Sequence, residues 1–169
     1  MDHERLIDRL DEHRAVMVSL LRSFGPEEVL WRPANGKWCA LEIVCHLVDE
    51  EVEDFRTRVF HVLDHPGTLP PGIDPTAWVT ERGYMDRDFD ERVRAWEQER
   101  VDSVARLRAL KAPAWKNAYE HPKLGTQTAE HYLANWVAHD LLHFRQLTGL
   151  RFPLLQRDTG SKLDYAGTW

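Results

Sequence analysis

His139 and His143 stand four residues apart in residues 132–147, YLANWVAHDLLHFRQL, an apolar run with helical spacing. At that separation both imidazoles project from one face, one turn apart, close enough to share a metal ion. Tyr132, Trp136 and Leu147 fall in the same row at steps of three or four, so the row faces a core, where an unpaired imidazole is costly. A second pair, His61 and His65, sits directly before Pro66 and Gly67. That pair reads as a helix end, where histidine interacts with the helix dipole and the last carbonyls.

Those histidines need elements to hold them. The chain has 169 residues, 43% of them hydrophobic, with seven tryptophans, enough to bury the core of one domain. Its formal charge of -6 and pI near 5.8, with no Lys/Arg cluster along any one helix face, argue against nucleic acid as a partner. No apolar run is long enough to span a bilayer, and the N-terminus is charged where a signal peptide is apolar, so a soluble, cytoplasmic protein is expected. Cys39 and Cys45 lie in one helix with roughly 9 Å of rise between them, which makes a disulfide unfavourable.

Helical periodicity places four long elements. The first runs from an Asp2 cap to Phe24, stopped by Gly25 and Pro26, with one extra turn over residues 27–31 and a loop over residues 32–36. The second starts near Cys39 and continues to about Leu63 on a stripe of Ile43, Leu47, Val52, Phe55, Val59 and Val62. Residues 64–87, rich in Pro and Gly in their first half, form a long crossover connection with a secondary role as a lid. The third helix spans residues 88–110, capped by Asp88 or Asp90, on a stripe that includes Val93, Trp96, Val101, Val104 and Leu107. A turn-rich connection leads to a fourth helix opened by Thr126 or Thr128 and closed at Gly149. A tail over residues 151–169 then docks on the bundle through Leu154, Leu155, Tyr165 and Trp169. With no strand-like alternation, repeat, phosphate loop or nucleophile elbow, the architecture is all-α, a four-helix bundle.

Facing helices of a bundle assemble metal sites, and His46, near the middle of the second helix, is the best third ligand for His139 and His143. His61 lies roughly 22 Å further along that helix, and His131 two turns before His139, so neither reaches the same ion. Residues 36–47, GKWCALEIVCHL, residues 139–147, HDLLHFRQL, and residues 119–125, YEHPKLG, resemble the signatures of the DinB/YfiT-like metalloprotein superfamily. The likeness extends from about residue 5 to residue 150 with its elements in order. Cys39 stands where the family usually has a serine.

The resemblance implies a four-helix bundle with right-handed crossover topology, usually a homodimer, in which His46, His139 and His143 bind a divalent ion, often nickel or zinc. Characterised members of that family include thiol S-transferases using bacillithiol and isomerases using mycothiol. Independently of the family, three neutral imidazoles with an open position form the catalytic arrangement for zinc, which acidifies a bound water or thiol into a nucleophile. Glu50 and Asp140 are placed to accept an imidazole N–H as supporting carboxylates. Trp38 and Trp136 are candidate walls of the substrate space. Cys39, seven residues before His46, is too far to ligate but occupies a helix N-terminus, where a thiolate is favoured. The function expected is metal-dependent S-transfer of a low-molecular-weight thiol to a small electrophile; the alternatives are metal-assisted hydrolysis and non-catalytic metal binding in a stress response. A cavity beside the ion, lined by tryptophan and charged residues, favours the enzymes; an ion sealed among apolar side chains favours the third.

Overall fold

The computed structural model describes residues 1–33 and 36–169; Ala34 and Asn35, in the loop expected over residues 32–36, lie outside the described residues. Four helical rods form the bundle, the first being α1, His3–Leu21. The Asp2 carboxylate accepts from the Arg5 N–H at 3.0 Å, the cap read from the sequence. The second rod runs without a break through α2 (Ala40–Asp49), a π-helical segment (Glu50–Arg56) and α3 (Thr57–Asp64). The Cys39 N–H, at its N-cap, donates at 3.0 Å to Glu42, so a buried carboxylate closes the first turn.

A π-turn closes its hydrogen bonds over five residues instead of four and slips the phase of everything beyond it. Glu50 and Glu51, at its start, and Phe55 are buried, while Val52, expected on the apolar stripe, is only half-buried. Next comes α4, Pro75–Glu81, a short helix within the long connection. The third rod is α5, Phe89–Arg108, capped by Asp88, which accepts from the Glu91 N–H at 2.7 Å. Val93, Trp96, Val104 and Leu107 are in the core as expected, but Val101 is 39% exposed. The inward position at that turn belongs to Arg100.

Residues 118–128, read as turn-rich, form a hairpin of β1 (Ala118–His121) and β2 (Gly125–Thr128), antiparallel with His121 opposite Gly125. The His121 ring accepts from the Lys123 and Leu124 N–H groups at 3.1 Å each, and Gly125 takes the positive φ of 71° that closes such a short loop. Thr128 then caps α6, Ala129–Thr159, accepting from the His131 N–H at 3.1 Å. This helix passes the expected stop at Gly149 and ends at Gly160, in the left-handed conformation. Pro153 has no N–H for the Gly149 carbonyl four residues earlier, yet Leu150 and Leu154 both bury themselves in the core and hold the helix on course. Of the expected docking residues in the tail only Leu154 is buried; Leu155, Tyr165 and Trp169 are exposed, with the Trp169 ring stacked on Phe152.

Around the bundle, α1 packs on α5 and α6, α2 on α5, and α3 on α6. Rods consecutive in sequence, first with second and third with fourth, are thus diagonal rather than adjacent. Pairing of Glu51 with Arg100 and of Arg56 with Glu99 and Ser103 shows the second and third rods running parallel. Residues 65–88 therefore traverse the length of the bundle, the crossover expected. This segment packs against α2, with Trp78 and Tyr84 in the core. It does not contribute to the cavity described below, so the lid role is not seen among the described residues.

Two apolar cores stack along the bundle, one around Met17, Leu47, Trp96 and Leu147 and one around Leu10, Phe55, Val104 and Trp136. Between them each rod offers polar side chains: His13, Glu50 and Glu51, Arg100, and Asp140 with His143. This polar layer holds the candidate site.

Candidate metal centre

His46 comes from α2, one turn before the π-segment, and His139 and His143 from consecutive turns of the antiparallel α6. The structure brings the three together. One ring nitrogen from each lies within 4.8 Å of the others, and the Nε2 atoms of His139 and His143 are 3.0 Å apart. Two donors on one zinc at about 2.05 Å and a tetrahedral angle would be about 3.3 Å apart, so the spacing fits a shared ion. Ring centroids of His46 lie 5.6 Å from His139 and 5.1 Å from His143. Among the described residues this is the one cluster of potential metal ligands.

Burial decides the protonation of two of the rings. Desolvation pulls the His46 imidazole down to about 4 and the His143 imidazole to about 3, with mutual repulsion among the rings adding to the shift at both. Both are neutral at cellular pH, the form with a lone pair to give a metal. Their Nδ1 atoms are buried without a hydrogen-bond partner. The donor set and its surroundings thus fit a divalent ion.

Glu50, one helical turn beyond His46 and so on the same face, reaches the cluster with both oxygens: Oε2 is 2.9 Å from His139 Nε2 and Oε1 3.6 Å from His46 Nε2. Burial alone would raise its pKa, but the hydrogen bond from His139 and the neighbouring His46, His139 and Arg58 more than offset this and hold it below the ordinary value. It is a carboxylate at the centre of the site. Asp140, expected beside it, has other partners. Both its oxygens accept from Arg100, at 2.7 and 2.8 Å, and Oδ2 also lies 3.2 Å from His13 Nδ1. The reason is angular: one residue past His139 is a rotation of about 100° on the helix, which turns Asp140 into the bundle axis.

The two tryptophans also part company. The Trp38 ring packs on His46, with centroids 4.8 Å apart, and lines a cavity. Trp136 is 1% exposed, stacks on Phe55, and gives its indole N–H to Glu51 at 2.9 Å; it belongs to the core and not to the cavity wall. Cys39 is fully buried, and desolvation raises its thiol pKa, so the thiolate expected from a helix N-terminus does not form there. His61 instead bonds Thr68 Oγ1 at 2.9 Å at the end of α3, as a helix-terminal histidine does.

All three histidines stand at the wall of a cavity of about 660 Å³. Trp38, Leu142 and Leu150 give it an apolar lining, and Lys37, Arg145 and Gln146 give it polar groups. None of these last three was singled out from the sequence as a functional residue, although Lys37 precedes Trp38 and Arg145 lies two residues beyond His143, within the two quoted segments. Arg100 was missed as well. Its signal was its place in step with Trp96 and Val104, where a charged residue could only be buried with partners.

The family model of the DinB superfamily matches residues 9–147. Among solved structures, YfiT from Bacillus subtilis, described as a probable metal-dependent hydrolase with an unusual four-helix bundle topology, superposes with a TM-score of 0.78 at 20% identity. That alignment covers 95% of this chain and 89% of YfiT, and at such identity it establishes the shared fold. No curated protein matches the chain.

Proposed function

The chain belongs to the DinB superfamily, and from that premise we propose that it is a metal-dependent enzyme in which His46, His139 and His143 hold one divalent ion, zinc or nickel. A bound ion would supply Lewis acidity, lowering the pKa of a water or thiol and polarising an electrophilic substrate. The observation that carries the reading is the Glu50 carboxylate 2.9 Å from His139, itself a residue of the cavity wall, because activating a nucleophile also requires a group to take its proton. Glu50, a candidate from the sequence, is the group proposed for that role.

Hydrolysis of a small substrate is the reaction this arrangement supports best. Glu50 accepts the proton from the attacking water and returns it to the leaving group, while Trp38 walls the substrate and shields His46 from bulk solvent. Transfer of a low-molecular-weight thiol is the second reading. It is favoured by the size of the cavity, about 660 Å³, which accommodates a thiol beside an electrophile. Purely structural metal binding fits less well, since the histidines open onto that cavity instead of being sealed among apolar side chains. A homodimer is part of the proposal and is measurable by light scattering. No helix among the described residues is long and apolar enough to cross a membrane.

A decisive experiment offers chromogenic esters and amides to the metal-loaded protein in heavy-oxygen water, with and without cellular thiols. Hydrolysis places the heavy oxygen in the product with no dependence on thiol, whereas S-transfer yields a thioether or thioester by mass. Turnover no faster than that of the His143→Ala variant would remove both readings.

A further inference from the structure

Charge around the cavity runs opposite to charge on the molecule. The chain has 28 Asp and Glu against 22 Lys and Arg, yet no Asp or Glu is among the described residues lining this cavity, while Lys37 and Arg145 both are. Neither cation has a carboxylate within ion-pair distance among the described residues, so their charge stands unneutralised at the cavity. Two unneutralised cations at the mouth of a mostly apolar cavity, in an acidic protein, raise the local concentration of anions.

The shape of the cavity adds a second constraint. Its wall follows α6 from His139 to Pro153, about 20 Å of helix axis. Gly149 lies on that wall, and a Cβ built there would meet nothing within 4 Å. The missing side chain keeps the passage open beyond Arg145. Apolar surface from Trp38, Leu142 and Leu150 lies between the histidines and the far end. Each cation is anchored next to the centre: Lys37 adjoins Trp38, whose ring packs on His46, and Arg145 follows His143 on the same helix.

We propose that the cavity receives an anionic amphiphile, a small molecule whose carboxylate or phosphate is held by Lys37 and Arg145 while its apolar body lies against Trp38, Leu142 and Leu150. The inference deepens the proposed function and rests on it for the reaction at the histidines, but recognition of the anion needs only the two cations. Arg145 offers a planar fork matched to either oxyanion, and Lys37 a mobile point charge. Phosphate and carboxylate share this chemistry and differ in charge.

The test measures calorimetric binding of phenylbutyrate, phenylbutyl phosphate and neutral phenylbutanol to metal-loaded and EDTA-stripped protein. In the wild type both anions are expected to bind at least about tenfold more tightly than the alcohol, with or without metal. In Lys37→Gln/Arg145→Gln that advantage falls below about threefold at unchanged metal content. The tighter of the two anions identifies the natural headgroup. Gly149→Leu, which fills the passage, weakens all three probes while leaving the fold intact by circular dichroism. Equal binding of alcohol and anions to the wild type, or an anion advantage that survives in the double variant, overturns the inference. Metal content, read in parallel by elemental analysis, reports on the proposed function separately: protein that binds no metal but prefers anions keeps this inference and loses that one.

Discussion

Glu50 and Glu51 are neighbours in the chain and serve two different centres. Glu50 meets His139 at 2.9 Å, while Glu51 grips Arg100 with both oxygens, at 2.9 and 2.8 Å, and accepts the Trp136 indole N–H. A regular helix separates adjacent side chains by about 100°, and here the π-turn that begins at Glu50 leaves both buried. One step of sequence thus divides a carboxylate at the histidine cluster from one that holds the core.

Exchanging the two should separate activity from stability. Glu50→Gln is expected to lower turnover by about 10²–10⁴-fold with a smaller loss of unfolding free energy than Glu51→Ala, because it removes a proton acceptor and preserves shape. Glu51→Ala should instead cost about 3–5 kcal/mol, since Arg100, 1% exposed, would keep only Asp140 as a carboxylate partner. Steady-state kinetics and urea denaturation of both variants check this; a Glu50→Gln enzyme at full activity would remove the carboxylate from the mechanism.

Replacing any one of His46, His139 and His143 by Ala should drop bound metal from about one ion per chain to a small fraction of that, because two imidazoles leave the ion underligated. His61→Ala, at the helix end, should leave metal content unchanged. Elemental analysis of untagged protein is the measurement. Wild-type metal content in His46→Ala would mean that the second rod supplies no ligand.

Acid should destabilise the metal-free protein earlier than its carboxylates alone require. Burial holds His46 and His143 at about 4 and about 3 when folded, below the ordinary imidazole value of about 6.5 that applies to the unfolded chain. As pH falls the unfolded chain therefore takes up these protons first, and stability that is full above 6.5 is lost towards the folded values. The slope approaches about 1.4 kcal/mol per pH unit for each histidine. Glu50 and Asp140, whose folded values are depressed, add stability that is present above the ordinary carboxylate pKa and lost at the acid end. Denaturation of EDTA-treated protein between about pH 7.5 and 4.5 tests this, and a flat profile across that range would contradict it.

Gly149→Ala should stabilise the fold by about 0.5–1 kcal/mol, since the residue is helical, exposed and free of neighbours within 4 Å of a new Cβ. Thermal melting would register this as a modest rise in Tm. A fall would show that the glycine relieves strain next to Pro153.

Much of the architecture was legible in residue order because caps and helical stripes are local properties. Asp2, Asp88 and Thr128 cap the rods they were expected to cap. Where the reading failed, a tertiary contact overrode the local signal. Gly149 and Pro153 read as a stop, but burial of Leu150 and Leu154 carries α6 past them. The hairpin at residues 118–128 was too short to show alternation, and the phase slip at Glu50 left no mark in a stripe that still looked helical.

Spacing fixes a side chain's angle on its own helix, and so the chain by itself determined that His139 and His143 share a face and that a bundle must bury it. Spacing carries no information about which other helix meets that face or at what height. Only packing of the second rod antiparallel to α6 brought His46 and Glu50 to the pair, sent Asp140 to Arg100, and left Lys37 and Arg145 beside an open cavity. Those meetings depend on distances between rods, which the burial of two apolar cores sets and no single segment encodes.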